Sequence, residues 1–62
     1  MKEYIFTFGS GQPNADGFHA IVAETPLAAR RLMFGRFGDK WYGQYNSREE
    51  AGVERFNLIE VA

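Results

Sequence analysis

The chain has 62 residues, a formal net charge of −1, a single His and no Cys. A chain of this length makes one domain, 1–62, which buries only about 60% of its unfolded surface. The missing Cys excludes disulfide staples and thiolate chemistry, His19 alone builds no structural zinc site, and the near-neutral charge speaks against a broad nucleic-acid-binding field and equally against an acidic DNA mimic.

Six Phe, three Tyr and one Trp compensate for the small size. Rings of this kind bury about 150–250 Å² each, so an aromatic core, an aromatic interface or both are expected. No apolar run approaches the roughly 18–20 residues of a membrane span. The opening Met1 to Phe8 is too short and too alternating for a signal peptide, and the chain reads as cytoplasmic.

Residues 3–8 alternate, with Tyr4, Phe6 and Phe8 on one side and Ile5 and Thr7 on the other, which predicts a strand with one aromatic face. Gly, Pro, Asn and Asp then crowd residues 9–17 and predict turns. A second, nearly continuous apolar strand is expected over 18–24, pairing antiparallel with the first. Thr25 and Pro26 open a helix over about 26–36, Thr as N-cap and Pro at the first helical position. Gly35 and Gly38 mark its end, where Arg36 suits the C-terminal dipole. A short strand over 41–45 carries an isolated Gly43, a bulge signal. Ser47 followed by Glu50 fits a capping box for a helical turn over 48–52, and 57–61 closes the chain as a strand. The expected class is α+β: a β-β-α-β-(short α)-β domain with a mainly antiparallel sheet and one helix packed on one face.

On a helical wheel, Ala28, Ala29, Leu32, Met33 and Phe37 form a broad arc that should face the sheet. Leu27 and Phe34 stack on roughly the opposite side, flanked by Arg30 and Arg31. A helix on a single sheet has no intramolecular use for a second apolar stripe. Leu27, Arg31 and Phe34 are therefore candidate interface residues, for a homo-oligomer or a protein partner; the alternative is that the chain after Gly38 wraps back over Phe34.

Two further segments invite a ligand. Gly9-Ser-Gly-Gln-Pro follows a strand, and such glycines bring backbone N–H groups near a phosphate. Asn14 stands where a dinucleotide fingerprint needs its third Gly, and no Gly-Lys-Ser/Thr follows, so the plain reading is a turn. Arg36, Lys40, Trp41, Tyr42 and Tyr45 cluster basic and aromatic side chains, a pattern that stacks a base while holding a phosphate, although Trp41 and one Tyr also suit the core. Gln12, Asn14, Arg36, Trp41 and Tyr45 are the candidate ligand contacts. No catalytic constellation is visible. His19 sits between Phe18 and Ala20 without a nucleophile in view, and Glu49, Glu50, Glu54 and Glu60 read as a solvated face interspersed with Arg48 and Arg55. No catalytic residue, metal site or cofactor is assigned.

Phe-Thr-Phe-Gly-Ser-Gly-Gln-Pro near the start, Arg-Leu-Met-Phe-Gly-Arg-Phe-Gly-Asp-Lys-Trp in the middle, then Gln-Tyr and Ala-Gly-Val-Glu-Arg-Phe, together resemble a group of short uncharacterised proteins carried by phages, prophages and other mobile elements. The resemblance carries no activity and no site residue. It implies a setting: small accessory proteins of this kind often antagonise bacterial defence, by binding a host defence protein or by sequestering a nucleotide signal as an oligomer. The leading expectation is thus a non-enzymatic homo-oligomer in the host cytoplasm that holds a nucleotide-like small molecule. The second is a protein–protein inhibitor or scaffold using Leu27, Arg31 and Phe34, and the third a single-strand nucleic-acid binder, which the net charge disfavours.

Overall fold

The computed structural model describes residues 1–9 and 15–61. Its elements are β1 (Lys2–Thr7), β2 (Gly17–Ala23), α1 (Pro26–Phe37), β3 (Gly43–Tyr45), α2 (Arg48–Ala51) and β4 (Ile59–Glu60). They form the expected α+β arrangement around one four-stranded sheet of order β3-β1-β2-β4. β1 is central and pairs antiparallel with β2, from Lys2↔Ala23 to Thr7↔Phe18, and with β3, from Ile5↔Tyr45 to Thr7↔Gly43. β4 is the exception, lying parallel to β2 over two residue pairs.

Strand alternation divides the core in two. Tyr4, Phe6, Phe8, Ile21 and Ala23 pack under Ala29 and Met33 of α1. Ile5 and Phe18 point the other way and pack against Ala51 of α2, with Val53 and Leu58 alongside. The expected helix α1 covers one face, and the expected short helical turn, α2 with the turn after it, packs on the other. The physical reason is Ile5, which is fully buried; on a one-sided sheet it would stand in water.

The helix ends form as their residues dictate. The Thr25 hydroxyl accepts from the Ala28 N–H at 3.1 Å with Pro26 at the start of α1, and the Gly38 N–H closes the other end on the Phe34 carbonyl. The Ser47 hydroxyl accepts from the Glu50 N–H at 3.1 Å and caps α2. Gly43 makes no bulge, since β3 pairs with β1 in unbroken register. Its role is space: a Cβ there would lie 3.0 Å from the Tyr45 ring and hydroxyl, which fold back over it.

The helix face also differs from expectation at one position. Ala29, Met33 and Phe37 point into the sheet, whereas Leu32 stays 44% exposed. The true axis of burial is set by the aromatic layer, because Phe37 meets both Phe8 and His19 edge-on, with centroids 5.2 and 5.0 Å apart. That rotation leaves Leu32 on the flank.

Candidate functional site

The outer side of α1 carries the most unusual surface. Leu27 and Phe34 are 58% and 46% exposed, on the side of the helix away from the sheet. After Gly38 the chain turns back and lays Trp41 against this side. The indole contacts Phe6 of the core at 5.2 Å and Phe34 at 5.4 Å, both edge-on. Its Nε1–H donates to the Gly38 carbonyl at 2.9 Å, which satisfies the ring's one donor. Arg30 closes the group, its guanidinium 5.8 Å from the Phe34 centroid and 5.5 Å from that of Trp41. An outward-facing Phe34 and a Phe34 covered by the returning chain thus both hold in part: Trp41 shields one side of the ring, and the rest faces outward beside Leu27. Tyr42, the next residue, is also exposed.

The result is a ledge: apolar surface from Leu27 and Phe34, a half-buried indole anchored through Phe6 to the core, and a cation held over the rings. Arg31 is exposed next to it, and no hydrogen bond or ion pair of its side chain is present among the described residues. A rigid aromatic and an Arg at a desolvated centre are the usual components of a binding hot spot.

The five ligand contacts expected from sequence are not brought together. Gln12 and Asn14 lie outside the described residues. Arg36 turns away from the ledge and donates from Nη1 to His19 Nε2 at 2.9 Å. Trp41 packs on the α1 face, and Tyr45, opposite Ile5 in the register, packs on the α2 face. The sheet itself separates Trp41 from Tyr45. Trp41 and Tyr42 precede the strand, so alternation within it does not govern them.

His19 is a structural group in this arrangement. It is 6% exposed, its Nδ1–H donates to the Val61 carbonyl, and its Nε2 accepts from Arg36. The carbonyl has only lone pairs to offer, which assigns the ring proton to Nδ1 and leaves Nε2 as the acceptor. Both nitrogens are engaged, and among the described residues no serine or carboxylate joins them.

On the opposite face, Arg48 lies over the Phe18 ring at 5.1 Å and grips Glu3 with two bonds, Nε to Oε1 at 3.0 Å and Nη2 to Oε2 at 3.2 Å. These hydrogen bonds hold the Glu3 carboxyl below its ordinary value. An open depression of about 490 Å³ beside α2 is lined by Arg48, Glu49, Gly52, Val53, Glu54 and Arg55. Its alternating charges present no single sign to a ligand. Among the described residues no group of three His, Asp or Glu is placed to hold a metal ion, and no helix is long and apolar enough to cross a membrane.

In comparisons with known protein families, curated proteins and solved structures, the chain matches none.

Sequence reasoning set Arg30 beside the Leu27–Phe34 stripe but left it out of the candidate interface residues. Its signal was present, because Arg30 and Phe34 are four apart on a helix and so are neighbours on its surface.

Proposed function

We propose that this chain is a non-enzymatic binding protein that docks on a partner protein through the outer side of α1. The observation that carries the reading is the ledge of Leu27, Arg30, Phe34 and Trp41, in which two aromatic rings and a guanidinium form one exposed surface braced by the core. Such a surface is costly to leave in water and suits a desolvated contact. The resemblance to short phage-borne proteins supplies the setting: the partner is a bacterial defence protein in the host cytoplasm, and binding antagonises it.

A second reading keeps a nucleotide-like small molecule as the ligand of a homo-oligomer. It draws on Arg30 over Trp41, a ring and a cation adjacent as base stacking and phosphate binding require. It no longer draws on Tyr45, which belongs to the other face.

Native mass spectrometry of the chain after incubation with lysate from defence-activated bacteria separates the two, with Phe34→Asp as the control. The first reading predicts a protein-sized mass added to the wild type and missing from a folded Phe34→Asp. A discrete nucleotide-sized mass supports the second. A wild-type chain with no added mass of either size counts against both.

A further inference from the structure

We infer that β2 pairs edge to edge with β2 of a second copy of this chain, antiparallel and centred on Val22, so that two sheets become one. The inference does not rest on the ledge, which lies on the other flank of α1.

The parallel pairing of β4 with β2 covers only Gly17 and Phe18. The Phe18 carbonyl accepts from the Val61 N–H at 2.7 Å. The next rung of a parallel ladder would run from the Ala20 N–H to the Val61 carbonyl. That carbonyl accepts from the His19 ring instead, and the ladder stops. Beyond this point, among the described residues, 20–23 have no strand partner on the side away from β1. Backbone direction alternates along a strand, and Phe18 addresses β4, so Ala20 and Val22 aim their N–H and C=O groups outward at this edge.

The edge lacks the devices that keep strands apart. Ala20, Ile21, Val22 and Ala23 include no charge and no Pro, whereas the neighbouring end of β1 carries Lys2 and Glu3. Apolar side chains flank it on both faces. Val22 is 57% exposed on the α2 face. On the α1 face, Leu32 is about 40° from Arg36, which reaches β2 at His19, and about 160° from Phe34, which reaches Trp41. Leu32 therefore stands on the β2 flank of the helix. α1 begins just past Ala23 and meets His19 through Arg36, which sets Leu32 alongside the middle of the open edge.

A second copy fits this edge better than an unrelated strand, because the edge is self-complementary about a two-fold axis. With Val22 opposite Val22 of the second copy, each donates to and accepts from the other, and the two side chains meet on the α2 face. Leu32 and its symmetry mate flank the seam on the α1 face. The same register sets Ala20 opposite Glu24 of the second copy. β2 ends at Ala23, and the chain then turns into α1 before reaching the position held by Val61.

Sedimentation velocity over a range of concentrations tests the pairing. The wild type should sediment as twice the 7.1 kDa chain mass. Val22→Pro removes an N–H that the β1–β2 ladder does not use and should give a folded monomer. Val22→Lys, which keeps the backbone and adds an edge charge, should do the same and decides the matter where Val22→Pro fails to fold. Phe34→Asp should remain a dimer. A wild type that is monomeric at every concentration overturns the inference, as does a dimer that survives Val22→Lys or is abolished by Phe34→Asp.

Discussion

The two faces of the sheet are covered unequally. On one, the 12 residues of α1 enclose a continuous cluster from Tyr4 to Met33, knitted by edge-on contacts among Phe6, Phe8, Phe37 and Trp41. On the other, four residues of α2 and the turn after them cover Ile5 and Phe18 but leave Val22 in water. The difference teaches that a chain of this size closes one face well and spends little on the second. Stability is concentrated under α1, while exposed apolar side chains stand where cover runs out: Leu27 and Phe34 on the outer side of α1, Val22 on β2, and Phe56 and Ile59 after α2.

The largest effect is expected from emptying the strong face. Phe6 is fully buried, and Phe6→Ala should cost about 3–5 kcal/mol, which in a domain with a thin margin leaves the chain largely unfolded by circular dichroism. Ile5→Ala on the weaker face should cost less, about 2–3 kcal/mol, because fewer fixed atoms line the space it leaves. Equal losses in urea titrations of the two variants would abolish the distinction between the faces. Gly52 sharpens it further. This residue ends α2 with φ 76°, and a Cβ there would lie 2.6 Å from the Phe56 ring, so Gly52→Ala should cost about 1–2 kcal/mol and loosen only the α2 side. Amide exchange should quicken at Ala51 and Val53 and stay unchanged in α1.

Much of this frame was legible in the sequence. Alternation in β1 named the faces of Tyr4, Phe6 and Ile5, and Thr25-Pro26 and Ser47 named the two helix starts, because caps and alternation are local chemistry. What could not be read locally was the rotation of α1 that leaves Leu32 on its flank, since Phe37 takes its place from contacts with Phe8 and His19, distant in the chain. The separation of Trp41 from Tyr45 was equally hidden. Tyr45 obeys the strand register, and Trp41 obeys the turn after α1, so their nearness in sequence says nothing about a shared surface.

Smaller effects test the surface. Phe34→Asp loses one edge-on partner of Trp41, a contact of about 0.5–1.5 kcal/mol beyond the area that its half-exposed ring buries, and should leave a folded chain. The Glu3–Arg48 pair should give the smallest change. Arg48 holds the Glu3 carboxyl below its unfolded value, so the stability it contributes is fully present above that unfolded value and is lost as pH falls through the lower folded one. Both side chains are more than a third exposed, and water screens most of the gain. In an NMR titration, Arg48→Gln should move the Glu3 midpoint upward toward the ordinary glutamate value; an unmoved midpoint would show that the two bonds do not form in solution.

The most direct test of the proposed docking is hydrogen exchange on the chain alone and in complex with any protein that co-purifies with it from bacterial lysate. The account predicts new protection along the outer side of α1, at Leu27, Arg30, Arg31 and Phe34, and at Trp41 and Tyr42. Protection confined to α2, β4 or the depression beside Arg48 and Arg55 would contradict it and move the binding surface to the opposite face of the sheet.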